Sequence, residues 1–146
     1  MQVIVHGGAG GSPDEPVPRQ ATLDDAAAAG SDEDSVVDAV EAAVRVLERD
    51  ERFNAGTGGA VQSDGVIRTD AGVMTSDRDA GAAASMPGVE AAVSVARAVM
   101  EETPHVLLNG VHAVDFAADV GVDVEVDLWS DDTRERWDDL ESYPEG

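Results

Sequence analysis

The chain has 146 residues, with 31 Asp plus Glu against 9 basic residues, all of them Arg, for a formal net charge of −22 and no cysteine. That balance excludes a disulfide framework, thiol chemistry and the basic footprint that nucleic acid requires. No apolar run approaches the roughly 18 residues of a membrane span and no charged-then-apolar leader opens the chain, so a single cytoplasmic domain over 1–146 is expected, with no membrane partner.

In chain order, Gln2 to Val5 reads as a short buried strand that runs into the turn His6–Gly11. A strand tip ending in glycines exposes backbone N–H groups suited to an anion or a developing oxyanion. A structural turn is the plainer reading. A Walker loop, a dinucleotide fingerprint and the G-x-S-x-G partner of a His-Gly-Gly-Gly oxyanion loop are all absent. Pro13, Pro16 and Pro18 make the next stretch a loop, and the alanine-rich run Arg19 to Ala29 predicts a helix stopped by Gly30. Asp34 or Ser35 caps the following helix. Val36, Val37, Val40, Ala43, Val44 and Leu47 fall on one core face of it, and it ends near Asp50.

Phe53 to Met74 is the centre of the chain. Gly56, Gly58 and Gly59 put three glycines in four positions, which demands positive φ or close approach. The runs Ala60-Val61 and Val66-Ile67 flank Ser63-Asp64-Gly65, a hairpin signal. Strands are expected at Asp70–Met74, Ala80–Met86 and His105–Leu108, and helices at Glu90–Glu102 and Val111–Val120. Beyond Val122 the pattern weakens: a short strand over 123–129, a charged helix over 133–140 and a tail from Ser142, together an acidic C-terminal segment 122–146. His6, His105 and His112 lack metal-ligand spacing. The last turn of the helix ending near Asp50 leaves carbonyls unpaired, which a hard cation can use.

His6-Gly7-Gly8-Ala9-Gly10, Phe53-Asn54-Ala55-Gly56-x-Gly58, Ser63-Asp64-Gly65, Asp70-Ala71-x-x-Met74 and the block from Ala96 to Gly110 followed by Phe116-Ala117 resemble the plant-type asparaginases, or isoaspartyl aminopeptidases. These are N-terminal-nucleophile hydrolases that cut themselves into an α and a β subunit. The resemblance covers residues 2–121 and departs at Thr75-Ser76-Asp77, where the family usually has Asp-Gly after the methionine. It implies an α/β (α+β) fold, the α-subunit half of an αββα sandwich. It implies no catalytic cofactor, and a structural sodium held by the main-chain carbonyls of Leu47, Glu48, Asp50, Phe53, Ala55 and Thr57. Asn54 with His6, Gly7 and Gly8 would support a nucleophile carried elsewhere. The family's Thr-Val-Gly-Ala context is absent, and Thr22, Thr57, Thr69, Thr75, Thr103 and Thr133 all sit in other settings. The implied nucleophile is therefore the N-terminal threonine of a β subunit, in an (αβ)2 assembly acting on asparagine or β-aspartyl dipeptides, with Gly146 at the cleavage end. A glycosylasparaginase-like activity, a non-catalytic acidic module binding a small ion, and a stand-alone hydrolase remain open.

Thirty-one acids spread along the whole chain, with no lysine, repel one another at low salt. At molar salt the Debye length shrinks to about 3 Å and that penalty vanishes, so a halophilic setting is expected. The thermal midpoint should rise by on the order of 10 °C between dilute and multimolar KCl. Melts followed by circular dichroism check this, and an unchanged midpoint overturns it.

Overall fold

The structure, a computed structural model, describes residues 1–140. Among them are five helices and three strands: α1 (Pro16–Ser31), α2 (Val36–Arg49), β1 (Arg68–Met74), β2 (Ala80–Pro87), α3 (Ala92–Glu102), β3 (Leu107–Asn109), α4 (Val111–Asp119) and α5 (Asp131–Asp138). The expected mixed α/β character is present. No described helix is long and apolar enough to cross a membrane. The expected tail from Ser142 and the cleavage end Gly146 lie outside the described residues.

α1 begins earlier than expected because Pro16 and Pro18 fall in its first turn, where a missing N–H leaves no hydrogen bond unmade. It also runs through Gly30. That glycine is buried, and a Cβ there would lie 2.7 Å from the Ala39 carbonyl oxygen of α2. Gly30 therefore marks a close helix crossing rather than a stop. α2 is capped by Ser35, which accepts from the Asp38 amide at 3.1 Å. Its buried line is Ala39, Ala43, Leu47 and Glu48. Val36 and Val40, expected on the core face, are exposed at 68% and 46%. Small alanines occupy the true contact line because the backbones of α1 and α2 approach so closely.

The sheet has the order β1-β2-β3, with β1 and β2 antiparallel and β2 and β3 parallel. The register pairs Ala71 with Ala83 and Met74 with Ala80, and it slips at Asp70, whose carboxylate accepts from the Ser85 amide. The hairpin expected around Gly65 is reduced to one bridge, Val61 to Ile67. One face of the sheet carries α3 and α4. Ala83 and Met86 meet Val89, Ala92, Val95, Ala113 and Ala117 in one core. β2 and α3 are in backbone contact: a Cβ on Gly81 would lie 2.3 Å from the Ala96 carbonyl oxygen. A second, smaller core joins Ala26, Leu47 and Phe53, with Val5 and Leu23 against it.

Two expected strands do not form. Residues 2–5 have no assigned secondary structure, with Val3 and Val5 half-buried and Ile4 94% exposed. They have the alternation of a strand but no neighbouring strand among the described residues. Residues 123–129 alternate likewise, yet the Asp123 and Asp127 carboxylates accept from Glu125 and Trp129 amides two positions on. Such local turns bend the backbone out of a ladder. This segment instead crosses the molecule as a strap, Val126 donating to Gly88 and Leu128 accepting from Gly58. It leads into α5, which has a Ser130–Thr133 capping box and an edge-to-face pair of Trp129 and Trp137 with centroids 6.1 Å apart.

Helices α2 and α3 are tied by Arg97, whose NH1 bonds Asp38 at 2.6 Å and Glu41 at 2.7 Å. The Ser35 hydroxyl and the Arg97 guanidinium hold the Asp38 carboxyl below its ordinary 3.8. A carboxyl depressed in the folded state stabilises above its unfolded value and loses that contribution as pH falls through the folded one. Arg97→Met should lower the thermal midpoint at neutral pH by about 3 °C. The gap to the parent protein should narrow on acidification below about pH 4; a gap constant with pH refutes the pairing.

Candidate functional site

The glycine loop after α2 is shaped from three sides. From α1, the Arg19 guanidinium donates to the Arg52 carbonyl and lies over the Phe53 ring, 5.7 Å from its centroid. Phe53 is buried against Leu47 and Ala26. From α2, the Glu48 carbonyl accepts from the Thr57 amide at 2.9 Å. From the strap, the Leu128 carbonyl accepts from the Gly58 amide at 2.8 Å. Only glycine fits at two of the positions. A Cβ on Gly56 would lie 2.3 Å from the Glu48 carbonyl oxygen, and Gly58 has φ 78 with the Glu51 carbonyl 2.4 Å from where its Cβ would be.

The N-terminal turn meets the same loop. A Cβ on Gly7 would lie 2.6 Å from Cε1 of Phe53, so the two glycine segments touch through an absent side chain. The Gly8 amide donates to Nδ1 of His6 at 3.1 Å, closing the turn on itself. His6, Gly7 and Gly8 line a cleft of about 560 Å³ together with Phe53 and Asn54. Asn54 also borders a cleft walled by Thr69, Ala71 and Gly72, and a third walled by Gly59, Arg136 and Trp137. The structure thus brings the four expected supporting residues together, with exposed Asn54 at the junction of three clefts.

The threonine hydroxyls each have a hydrogen-bond partner within the chain. Thr57 donates to Glu90 at 3.0 Å, Thr69 to the Val89 carbonyl at 2.6 Å and Thr22 to Asp50 at 2.5 Å. Thr103 donates to the Val99 carbonyl and Thr133 to the Ser130 carbonyl, while Thr75 accepts from the Asp79 amide. None of these contacts is with a histidine or an amine that could serve as a base.

The carbonyl set expected to hold a cation lies on the α2 end and the loop. Their side-chain carboxylates are engaged. Glu48 receives Arg45 on one oxygen at 2.7 Å and the Val93 amide on the other at 2.8 Å. Asp50 receives Thr22, and on its second oxygen the Arg52 amide. Within that set the Leu47, Glu48 and Asp50 carbonyls accept from the Asp50, Thr57 and Phe53 amides. Burial pushes the Glu48 carboxyl above its ordinary 4.5, against the opposing pull of Arg45 and the Val93 amide. Burial would also raise Asp50, but the Thr22 hydroxyl and Arg52 outweigh it and hold Asp50 low. Sequence reasoning missed Arg45 and Glu90 as neighbours of the loop. The available signal was Glu48 itself, a charged residue beside Leu47 on an otherwise apolar stripe.

A family model described as asparaginase matches residues 1–145. The chain belongs to this family. It is 44% identical to the plant-type L-asparaginase of Pyrococcus furiosus over 96% of this chain and 47% of that protein. To the plant-type L-asparaginase of Thermococcus kodakarensis it is 43% identical over 94% and 47%. To the isoaspartyl peptidase/L-asparaginase of Rattus norvegicus it is 41% identical over 84% and 39%. The chain spans about half the length of the archaeal relatives it matches, and less of the rat one. The five-helix, small-sheet architecture is consistent with the α-subunit half of the family's N-terminal-nucleophile hydrolase fold.

Gly56→Ala places a methyl against the Glu48 carbonyl, a backbone atom that cannot turn aside. It should cost roughly 2–3 kcal/mol and speed hydrogen exchange at the Thr57 amide. Exchange unchanged from the parent protein would show that the loop does not depend on this contact.

Proposed function

We propose that this chain is the α subunit of a threonine amidohydrolase that releases ammonia from L-asparagine, cleaves β-aspartyl dipeptides, or does both. The nucleophile belongs to the N-terminal threonine of a β subunit, and the natural form is (αβ)2. The observation that carries the reading is the convergence of the His6–Gly8 turn and Asn54 on one cleft in a chain whose threonines are all otherwise engaged. The printed names of the relatives supply the substrate class.

In this reading the β-subunit threonine hydroxyl adds to the substrate side-chain carbonyl, its own α-amine taking the proton. The tetrahedral adduct collapses, ammonia or the amino-acid amine leaves with that proton, and water then hydrolyses the acyl ester. The α chain does no bond-making. Asn54 offers an amide donor and acceptor to the incoming N-terminus from a loop fixed on three sides. The His6–Gly8 turn, locked by its own hydrogen bond, forms the facing wall. A sodium ion on the carbonyls of Leu47, Glu48, Asp50, Phe53, Ala55 and Thr57 would supply fixed positive charge that stiffens the loop.

The open sheet supports a partner chain. Among the described residues β1 and β3 are both edges, residues 2–5 pair with no strand, and Ile4 is bare. Edges of this kind need covering, and strands from the β subunit would do so.

Expression of a longer polypeptide containing this chain should give two fragments in equal amounts, the second beginning with threonine, and ammonia release should track cleavage. Asn54→Ala should lower kcat/KM on the order of a hundredfold without unfolding the protein. Intact mass, N-terminal sequencing and ammonia assay are the measurements. Robust ammonia release by the purified 146-residue chain alone overturns the assignment of the nucleophile to a partner.

A further inference from the structure

We propose that the exposed surface formed by the β3 edge and the first turn of α4 is where a second copy of this chain docks, Val106, Leu107 and Val111 of each copy meeting those of the other. The inference deepens the (αβ)2 reading above and rests on it only for the presence of a second copy.

The first observation is charge. In a chain with 31 acidic residues among 146, residues 103–114 contain none. The two other long exposed stretches without an acid, 1–13 and 53–63, contribute to the clefts around Asn54. Residues 103–114 contribute to none of those clefts. Two copies that each carry −22 repel one another, and like charges set face to face are strongly penalised. Self-contact is therefore favoured where acids are lacking on both sides, and a two-fold contact brings the same patch from each copy. A basic partner would instead seek the acidic surface.

The second observation is apolar exposure. Val106, Leu107 and Val111 are 63%, 56% and 65% exposed. Leu108 packs against the core between them, while Leu107 and Asn109 face out. His105, Asn109 and His112 are exposed around the patch and bring no negative charge.

The third is place in the sheet. β3 pairs with β2 through Leu107, Leu108 and Asn109, and its other side has no partner among the described residues. β1, at the opposite edge, borders an Asn54 cleft through Asp70, Ala71 and Gly72. A chain that brings a threonine to Asn54 is served by the β1 side, which leaves the β3 edge to the second copy.

This chain has no cysteine, so a thiol cross-link from it starts at an introduced one. Asn109→Cys, His112→Cys and, as a control on α1, Asp25→Cys would each be made in the assembled protein and treated with a short bis-maleimide in molar KCl. Mass spectrometry should find two copies of this chain joined through position 109 or 112 and not through 25. Leu107→Glu combined with Val111→Glu sets like charges across the contact and should weaken self-association on the order of a hundredfold by sedimentation velocity. No link at 109 or 112, a link to a different polypeptide, equal linking through 25, or unchanged self-association of the glutamate variant overturns the proposal. If the protein then still sediments as (αβ)2 and releases ammonia, the assembly reading stands and another face carries it. If it sediments as a single αβ unit, the contact and the (αβ)2 form fall together, while the amidohydrolase reading stands on ammonia release. Should the glutamate variant not fold, the cysteine variants, single changes at exposed positions, decide the matter.

Discussion

The carboxylate of Glu48 is 1% exposed and sits between Arg45 on its own helix and the first amides of α3. α3 has no side chain of its own at its N-cap, where Ala91 stands, so a residue 45 positions earlier satisfies the Val93 amide. The carbonyl of the same residue accepts from Thr57 and stands where any side chain at Gly56 would have to go. One residue thus fixes the end of α2, the start of α3 and the return of the glycine loop. A buried carboxylate with one partner removed is strongly destabilising, so these three features stand or fall together. Asn54, between the end of α2 and Thr57, inherits its place from that arrangement.

Much of this was legible in the chain. α2 and α3 carry 3.6-residue periodicity and a Ser35 cap, and both form with nearly the expected bounds. The glycine loop was legible because three glycines in four positions leave little else to propose, and Gly56 and Gly58 do face backbone carbonyls. The meeting of His6–Gly8 with Asn54 came only from family resemblance, since no spacing relates positions so far apart. Where pattern misled, the cause was a missing partner or a close approach. Residues 2–5 alternate like a strand and find no ladder among the described residues. Val36 and Val40 keep helical spacing but lie off the line where α1 and α2 touch, because Gly30 lets that line be drawn by alanines. Arg45 and Glu90 could not be assigned to the loop, since an ion pair across 45 positions leaves no periodic trace.

The strap of residues 123–130 shows how a weak sequence signal can hide a structural role. It contributes two backbone hydrogen bonds, one to Gly88 and one to Gly58, and a Cβ on Gly88 would lie 2.3 Å from the Val124 carbonyl oxygen. It then hands over to α5, where Trp137 rests beside Gly65 at 3.4 Å from where a Cβ would stand. The glycine turns before β1, at Gly58 and Gly65, and after β2, at Gly88, are thereby held by one distant segment.

The exposed Ile4 segment at residues 2–5 bears on colloidal behaviour. A bare segment carrying Ile4, like the sheet's uncovered edges, can pair with its own kind in another molecule. A charge of −22 keeps such molecules apart in dilute solution. Concentrated salt, which relieves the repulsion within each fold, also dissolves the barrier between folds. The two effects of the same ions therefore oppose each other. Salt that screens the charges thus leaves an uncovered edge least protected, so covering that edge early would favour assembly over aggregation.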